Sequence, residues 1–194
     1  MAMTFAGVWR EGGDRYGLWV DTWDGFAAKW AEFSGQGLRL VSLETYEDGG
    51  HRMWAGVYRE GTDGYYLWVN DDWDGFVAKW EELAKLNLRL VDVETWIEDG
   101  QVRWAGVWRE GSDRYYLWAD NWDGFAAKWN ELSSQNLRLV DIETYQAGAE
   151  RRWVGVWREG SDGHYLWFAT RGRASWPNGM NSRRRIFGWW TSNA

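Results

Sequence analysis

Apolar positions along this chain change period in a fixed order, and the order recurs. From Trp54 to Glu60 the residues alternate, with Trp54, Gly56 and Tyr58 on one face and Ala55 and Val57 on the other, the period of two that defines a strand. The segment ends at Gly61-Thr62-Asp63-Gly64, a turn composition, before Tyr65-Tyr66-Leu67-Trp68-Val69, so a hairpin is predicted. The period then lengthens: Trp73, Phe76, Trp80 and Leu83 fall at helical spacing. Asp72 suits the N-cap, as do Thr22 and Asn121 in the other copies, and the acid two positions on favours the positive end of the helix dipole. The helix should stop near Asn87, and Leu88 to Trp96 reads as a third strand. A polar turn, Glu98-Asp99-Gly100, returns the chain to Arg103-Trp104-Ala105-Gly106. The last strand of one unit is therefore expected to pair with the first of the next, giving three-stranded antiparallel meanders joined through helices.

The same order occurs three times in full. The marker Ala-Gly-Val-Trp-Arg-Glu recurs with its glycine at Gly7, Gly56, Gly106 and Gly155, spacings of 49, 50 and 49 residues, which signals a repeat architecture in which each unit stacks on its neighbours. The predicted class is α+β: one domain of tandem repeats of about 49 residues, each of three antiparallel strands plus one helix, arranged round an axis or as a short solenoid. The repeats are read as 5–53, 54–103 and 104–152, with a partial copy at 153–169 and an atypical tail at 170–194. Regrouping codons in the neighbouring frame after Leu166 turns that tail into the missing half of a fourth repeat, so a frameshift is expected there. The basic run Ser182-Arg183-Arg184-Arg185 is accordingly given no function.

Composition narrows the classes. The chain has 194 residues, 45% hydrophobic, with a single proline, so it can bury a core. A net charge of −7 argues against nucleic acid or an anionic membrane as partner. There is no cysteine, hence no disulfide and no cysteine-ligated zinc. No run of about eighteen apolar residues is present, and the repeat begins at Phe5 without room for a signal peptide. The outlying number is 20 Trp.

Little in the chain points to catalysis. His51 and His164 occupy different places in the repeat. Carboxylates recur at Glu11/Glu60/Glu110/Glu159, Asp14/Asp63/Asp113/Asp162 and Glu44/Glu94/Glu143, but an enzyme rarely needs the same acid three or four times. Glu60 and its equivalents are expected to pair with arginines such as Arg89, and Asp63 and its equivalents to close the hairpin turn. The run from Asn70 to Gly75 echoes half a calcium loop, yet the other copies lack the pattern and no glutamate follows at the right spacing. No cofactor and no metal ligand set is expected. On the helix stripe, Phe26, Phe76 and Phe125 with Trp30, Trp80 and Trp129 are expected in the core. The strand aromatics have two readings: they pack between repeats, or they lie open as a row on which sugar rings stack.

Gln36-Gly37-Leu38-Arg39-Leu40-Val41-Ser42-Leu43, preceded by a helix bearing Phe26 and Trp30 and followed by the aromatic strand at 54–60, resembles the bacterial tandem repeat domain family over about residues 5–168. Members of that family lie beside β-lactamase-like serine hydrolase domains, and fungal polyglycine hydrolases carry a similar N-terminal domain. The resemblance implies a secreted setting and a non-catalytic repeat region. No Ser-x-x-Lys and no Gly-x-Ser-x-Gly is present in the chain.

The expectation is a non-enzymatic, multivalent binding module, with glycan first as ligand and a protein interaction or self-assembly module as the alternative. Candidate ligand residues are Trp19, Trp68, Trp118, Trp167, Tyr58, Trp108, Arg59, Arg109, Asp63 and Asp113. A closing strand beside Phe5 to Arg10 would complete a ring; without it, open repeat ends should associate as a homo-oligomer.

Overall fold

The computed structural model describes residues 11–170 and 173–175. It contains three copies of one strand-helix-strand-strand unit. The first is β1 (Tyr16–Thr22), α1 (Trp23–Gly35), β2 (Leu38–Asp48) and β3 (His51–Glu60). The second is β4 (Tyr65–Asp71), α2 (Trp73–Lys85), β5 (Leu88–Glu98) and β6 (Gln101–Glu110), and the third is β7 (Tyr115–Asp120), α3 (Trp122–Ser134), β8 (Leu137–Ala147) and β9 (Glu150–Glu159). A short antiparallel pair, β10 (Phe168–Thr170) and β11 (Arg173–Ser175), follows. Each unit makes one antiparallel sheet, in the orders β1-β3-β2, β4-β6-β5 and β7-β9-β8. The α+β class and the count of three strands and a helix per repeat are as the sequence led us to expect.

The hairpin predicted across Gly61-Thr62-Asp63-Gly64 does not form. β3 is the middle strand of its sheet, with β1 on one edge and β2 on the other, so β4 finds no free edge there and pairs with β6 of the next sheet instead. The segment is a connector between sheets. For the same reason β9, flanked by β7 and β8, makes no hairpin with the residues leading to Phe168. The closing strand expected beside residues 5–10, and nearly all of the tail after Thr170, lie outside the described residues.

Local chemistry fixes the elements. The β2–β3 turn uses Gly49 and Gly50 at φ 57° and 82°, and the β5–β6 turn uses Asp99 and Gly100 at 50° and 75°, the paired positive φ that a two-residue hairpin demands. Asp72 and Asn121 accept hydrogen bonds from the backbone of Gly75 (2.9 Å) and Gly124 (3.0 Å) and cap α2 and α3, whereas the Thr22 side chain makes no cap bond. Beyond the helices, Gly37, Asn87 and Asn136 take φ of 73°, 57° and 59° and turn the chain into the next strand.

The core repeats with the unit. Phe26, Phe76 and Phe125 are fully buried on their helices. Phe26 and Phe125 lie over glycines of the middle strands, where a Cβ at Gly56 or Gly155 would stand 2.9 Å from the respective ring. Trp129 is buried, whereas Trp30 and Trp80 at the same position are only half-buried. Trp30 meets Tyr65 at 5.5 Å, Trp80 meets Tyr115 at 4.9 Å, and Trp129 meets His164 at 5.0 Å. The backs of the second and third sheets close the seams between units, with Ala105, Val107, Val154 and Val156 buried to 1% exposure or less.

A β-bulge at the same place in β2, β5 and β8 sets the inner strands. It aims Asp92 and Asp141 at the preceding unit, where they accept the Leu43 N–H (3.1 Å) and the Val93 N–H (2.6 Å). Two residues on, carboxylate oxygens of Glu44, Glu94 and Glu143 all lie within 4.8 Å of one another. Sheets stacked in a line about 10 Å apart would leave the first and third of these roughly 20 Å apart. The units therefore run round an axis, and the three glutamates mark it.

Candidate functional site

The aromatic row expected on the strands falls into three environments. Trp19, Trp68 and Trp118 are half-buried, and a lysine ammonium lies over each ring: Lys29 at 4.5 Å, Lys79 at 4.4 Å and Lys128 at 4.7 Å from the centroid. Each lysine also pairs with the glutamate three residues on, Glu32, Glu82 or Glu131, at 2.6 to 2.7 Å. Those ring faces already hold a cation. Tyr58 and Trp108, proposed as ligand contacts, are instead fully buried. They share the strand face that meets the helix, 6.3 Å from Phe26 and 5.6 Å from Phe76 respectively, and belong to the core. Only Trp167 of the row stands open, at 56% exposure.

The proposed polar ligand residues are engaged with one another. Arg109 grips Asp63 with two hydrogen bonds of 2.6 Å, Arg158 grips Asp113 with two of 2.6 and 2.5 Å, and Arg59 holds Asp14 at 2.7 Å through Nη2. These forks tie each connector to the middle strand of its sheet and hold the Asp63 and Asp113 carboxyls below the ordinary carboxylate range. Asp63 thus makes an inter-strand ion pair rather than closing a hairpin. Nor does Glu60 pair with Arg89. Glu60 and Glu159 bind Arg15 and Arg114, both at 3.2 Å, and Glu110 accepts the Gly64 N–H. Arg89 donates to the carbonyls of Asp113 (2.9 Å) and Ala84 (3.1 Å) and lies 4.4 Å over the Tyr115 ring. Arg39 does the same with Asp63, Ser34 and Tyr65. These arginines bolt one unit to the next. His164 is held too, with Nε2 2.7 Å from the Ser133 hydroxyl.

A cleft of about 550 Å³ opens between the second and third units. Its aromatic wall is Trp73, Trp104 and Tyr145, with centroid distances of 4.8 Å for the first pair and 4.9 Å for the second. Gln101, Glu150 and Arg152 supply amide, carboxylate and guanidinium at its rim, and Arg152 bonds Glu150 at 3.2 Å. The first seam repeats the wall: Trp23 meets Trp54 at 5.2 Å and Trp54 meets Trp96 at 5.1 Å, with Trp23 38% exposed. Sequence reasoning missed this group because Trp73 shares the helical period of Phe76 and Trp80. The available signal was its place directly after the N-cap in every copy, a first-turn position that projects past the edge of the sheet.

Three like units, each joined to the next by the same arginine bolts and gathered about one axis, define a structural tandem-repeat scaffold. The chain belongs to the polyglycine hydrolase-like structural repeat family, whose profile matches residues 16–60, 63–111 and 118–160. Those three matches coincide closely with the three sheet-forming units. No curated protein sequence matches the chain.

Proposed function

We propose that this domain is a non-enzymatic, multivalent binding module that takes a glycan in the aromatic clefts between successive units. The observation that supports it is the Trp73, Trp104 and Tyr145 wall facing the amide, carboxylate and guanidinium of Gln101, Glu150 and Arg152. The half-buried Trp73 and Tyr145, backed by the buried Trp104, receive the C–H faces of a pyranose while the rim groups take its hydroxyls. At the first seam Trp23, 38% exposed over the buried Trp54 and Trp96, offers a second, weaker contact, so affinity is gained by avidity. The test is a glycan array followed by sugar titration of Trp fluorescence. Trp73→Ala is expected to weaken markedly a binding-linked spectral change that Trp118→Ala retains in full, since the Trp118 ring already carries Lys128. A response lost equally in both variants, or no array hit, refutes the assignment.

A second reading, a self-assembling interaction module, rests on a different observation. The back of the first sheet leaves Leu18 60%, Val20 42% and Val57 40% exposed, although the equivalents of Val57, Val107 and Val156, are buried between units. At the other end Val140 and Trp167 are 49% and 56% exposed. A second copy docking its last unit on that back face repeats the seam already present within the chain, a head-to-tail contact. Light scattering across concentration tests it. Mass should rise for the native chain and stay at one copy for Val57→Lys, and a native chain that remains monomeric refutes it.

A further inference from the structure

At the axis the chain gathers acid with nothing to balance it. Glu44, Glu94 and Glu143 come from equivalent positions on β2, β5 and β8, and an oxygen of each lies within 4.8 Å of the others. Asp92 and Asp141 stand two residues before Glu94 and Glu143 on the same strands, and each spends an oxygen on a backbone N–H of the neighbouring unit. Among the described residues, no lysine, arginine or histidine forms an ion pair with any of these five, whereas Asp14, Asp63 and Asp113 at the rim each hold an arginine. Glu94 sits at the centre. It is 4% exposed, and its Oε2 is buried without a hydrogen-bond partner. A buried carboxylate oxygen with no donor is costly unless a proton or a cation meets it.

The ligand set favours calcium over magnesium. Calcium takes about six to eight oxygens at roughly 2.3–2.6 Å in a flexible shell, whereas magnesium demands a near-ideal octahedron at about 2.1 Å and keeps several of its waters. Three carboxylates gathered from three separate strands, each able to bind through one oxygen or two, suit the looser shell. Glu44 is exposed and leaves a route in from solvent. From this geometry we infer that Glu44, Glu94 and Glu143 form an axial site for one calcium ion, which pins the three inner strands together. No local motif announces the site, because its ligands are spread over three repeats. It is independent of the inter-unit cleft.

The full chain, stripped with EDTA and dialysed at neutral pH, is titrated calorimetrically with CaCl2 to about 5 mM, beyond the weak ~1 mM limit of calcium modules. The expected result is saturable binding of one ion per chain, a rise in Tm, and affinity for MgCl2 at least about tenfold weaker. Glu94→Gln should lose both binding and the Tm rise. Glu44→Gln, at an exposed position that leaves folding intact, should weaken calcium binding at least about tenfold. Native protein that binds no calcium, Glu44→Gln that binds as tightly as the native chain, or a chain stabilised only by acidification overturns the site.

Discussion

The glycines that reveal the repeat in the sequence are packing residues, and one substitution tests that role. Gly106 lies in the middle strand of the second sheet, and a Cβ there would stand 2.6 Å from Trp108 Cη2 and 2.7 Å from Leu90 Cδ1. Both neighbours are fully buried and cannot swing into solvent. Gly106→Ala therefore overpacks the core, at a cost of about 1–3 kcal/mol. Its φ is not positive, so alanine also recovers about 0.4–1 kcal/mol from the less free unfolded chain. The net expectation is a loss of about 1–2 kcal/mol. At about 2–4 °C per kcal/mol for a chain of this size, Tm falls by about 2–8 °C. Gly35→Ala is the matched control: it ends α1 with nothing within 4 Å of the added methyl and should raise Tm slightly. Calorimetry on the two variants decides it, and a Gly106→Ala chain as stable as the native one refutes the account of why the motif needs glycine.

Three further expectations concern caps, rim and axis. Asp72→Ala should cost about 1 kcal/mol by removing the α2 cap, while Thr22→Asp should gain a similar amount at α1, whose cap bond is missing; denaturant midpoints read both. In a double-mutant cycle, Asp63→Asn and Arg109→Gln should couple by about 1 kcal/mol, since the pair is bidentate and less than a third exposed; additive losses refute the rim pairing. In EDTA, stability should fall as pH rises. Glu94 and Glu143 are raised from 4.5 to about 10 and about 8, so over that window the folded state binds more protons than the unfolded one. Their contribution is full below about pH 4.5 and is lost as pH climbs through 8 and beyond, a difference on the order of a few kcal/mol. Asp63 and Asp113, held low by arginine, act oppositely and lose their contribution only below their ordinary range. Tm in EDTA should thus be higher at pH 5 than at pH 8, and equal values refute it.

What the sequence showed and what it hid follow from the range of the interactions. Strands and helices are written locally: the alternation at Trp54 to Glu60 and the 3.6-residue period at Trp73 to Leu83 each lie within one element, and both elements form. Turn residues are equally local, as at Asp99-Gly100. Pairing is not. A strand followed by a turn composition reads the same whether the next strand joins its sheet or opens another, and β4 opens another because β3 has no edge left. The rim forks join residues 45 or 46 apart, so the grip of Arg109 on Asp63 has no short-range signature. Facing was half legible. Alternation placed Gly56 and Tyr58 together, but which face meets the helix depends on where Phe26 lands, and it lands on theirs. Trp73 was hidden by a helical period that it shares with true core residues.

The rim and the axis handle charge in opposite ways, and the contrast bears on how many units such a chain can gather. At the rim every unit supplies its own acid and its own arginine, Asp63 with Arg109 and Asp113 with Arg158, so each added repeat adds a neutral joint. At the axis every unit supplies acid alone, and all of it arrives at one place. The second and third units bring two carboxylates each, Asp92 with Glu94 and Asp141 with Glu143, whereas the first brings only Glu44, because Ser42 stands where the others have aspartate. Aspartate at that place has a job, to accept a backbone N–H of the preceding unit. The glutamates make no ion pair among the described residues, and glutamine in their place would keep the shape without the charge. Carboxylates placed three times over at the point of greatest mutual repulsion call for a proton or a cation between them, and the proposed calcium ion is the one partner that all three strands could share at once.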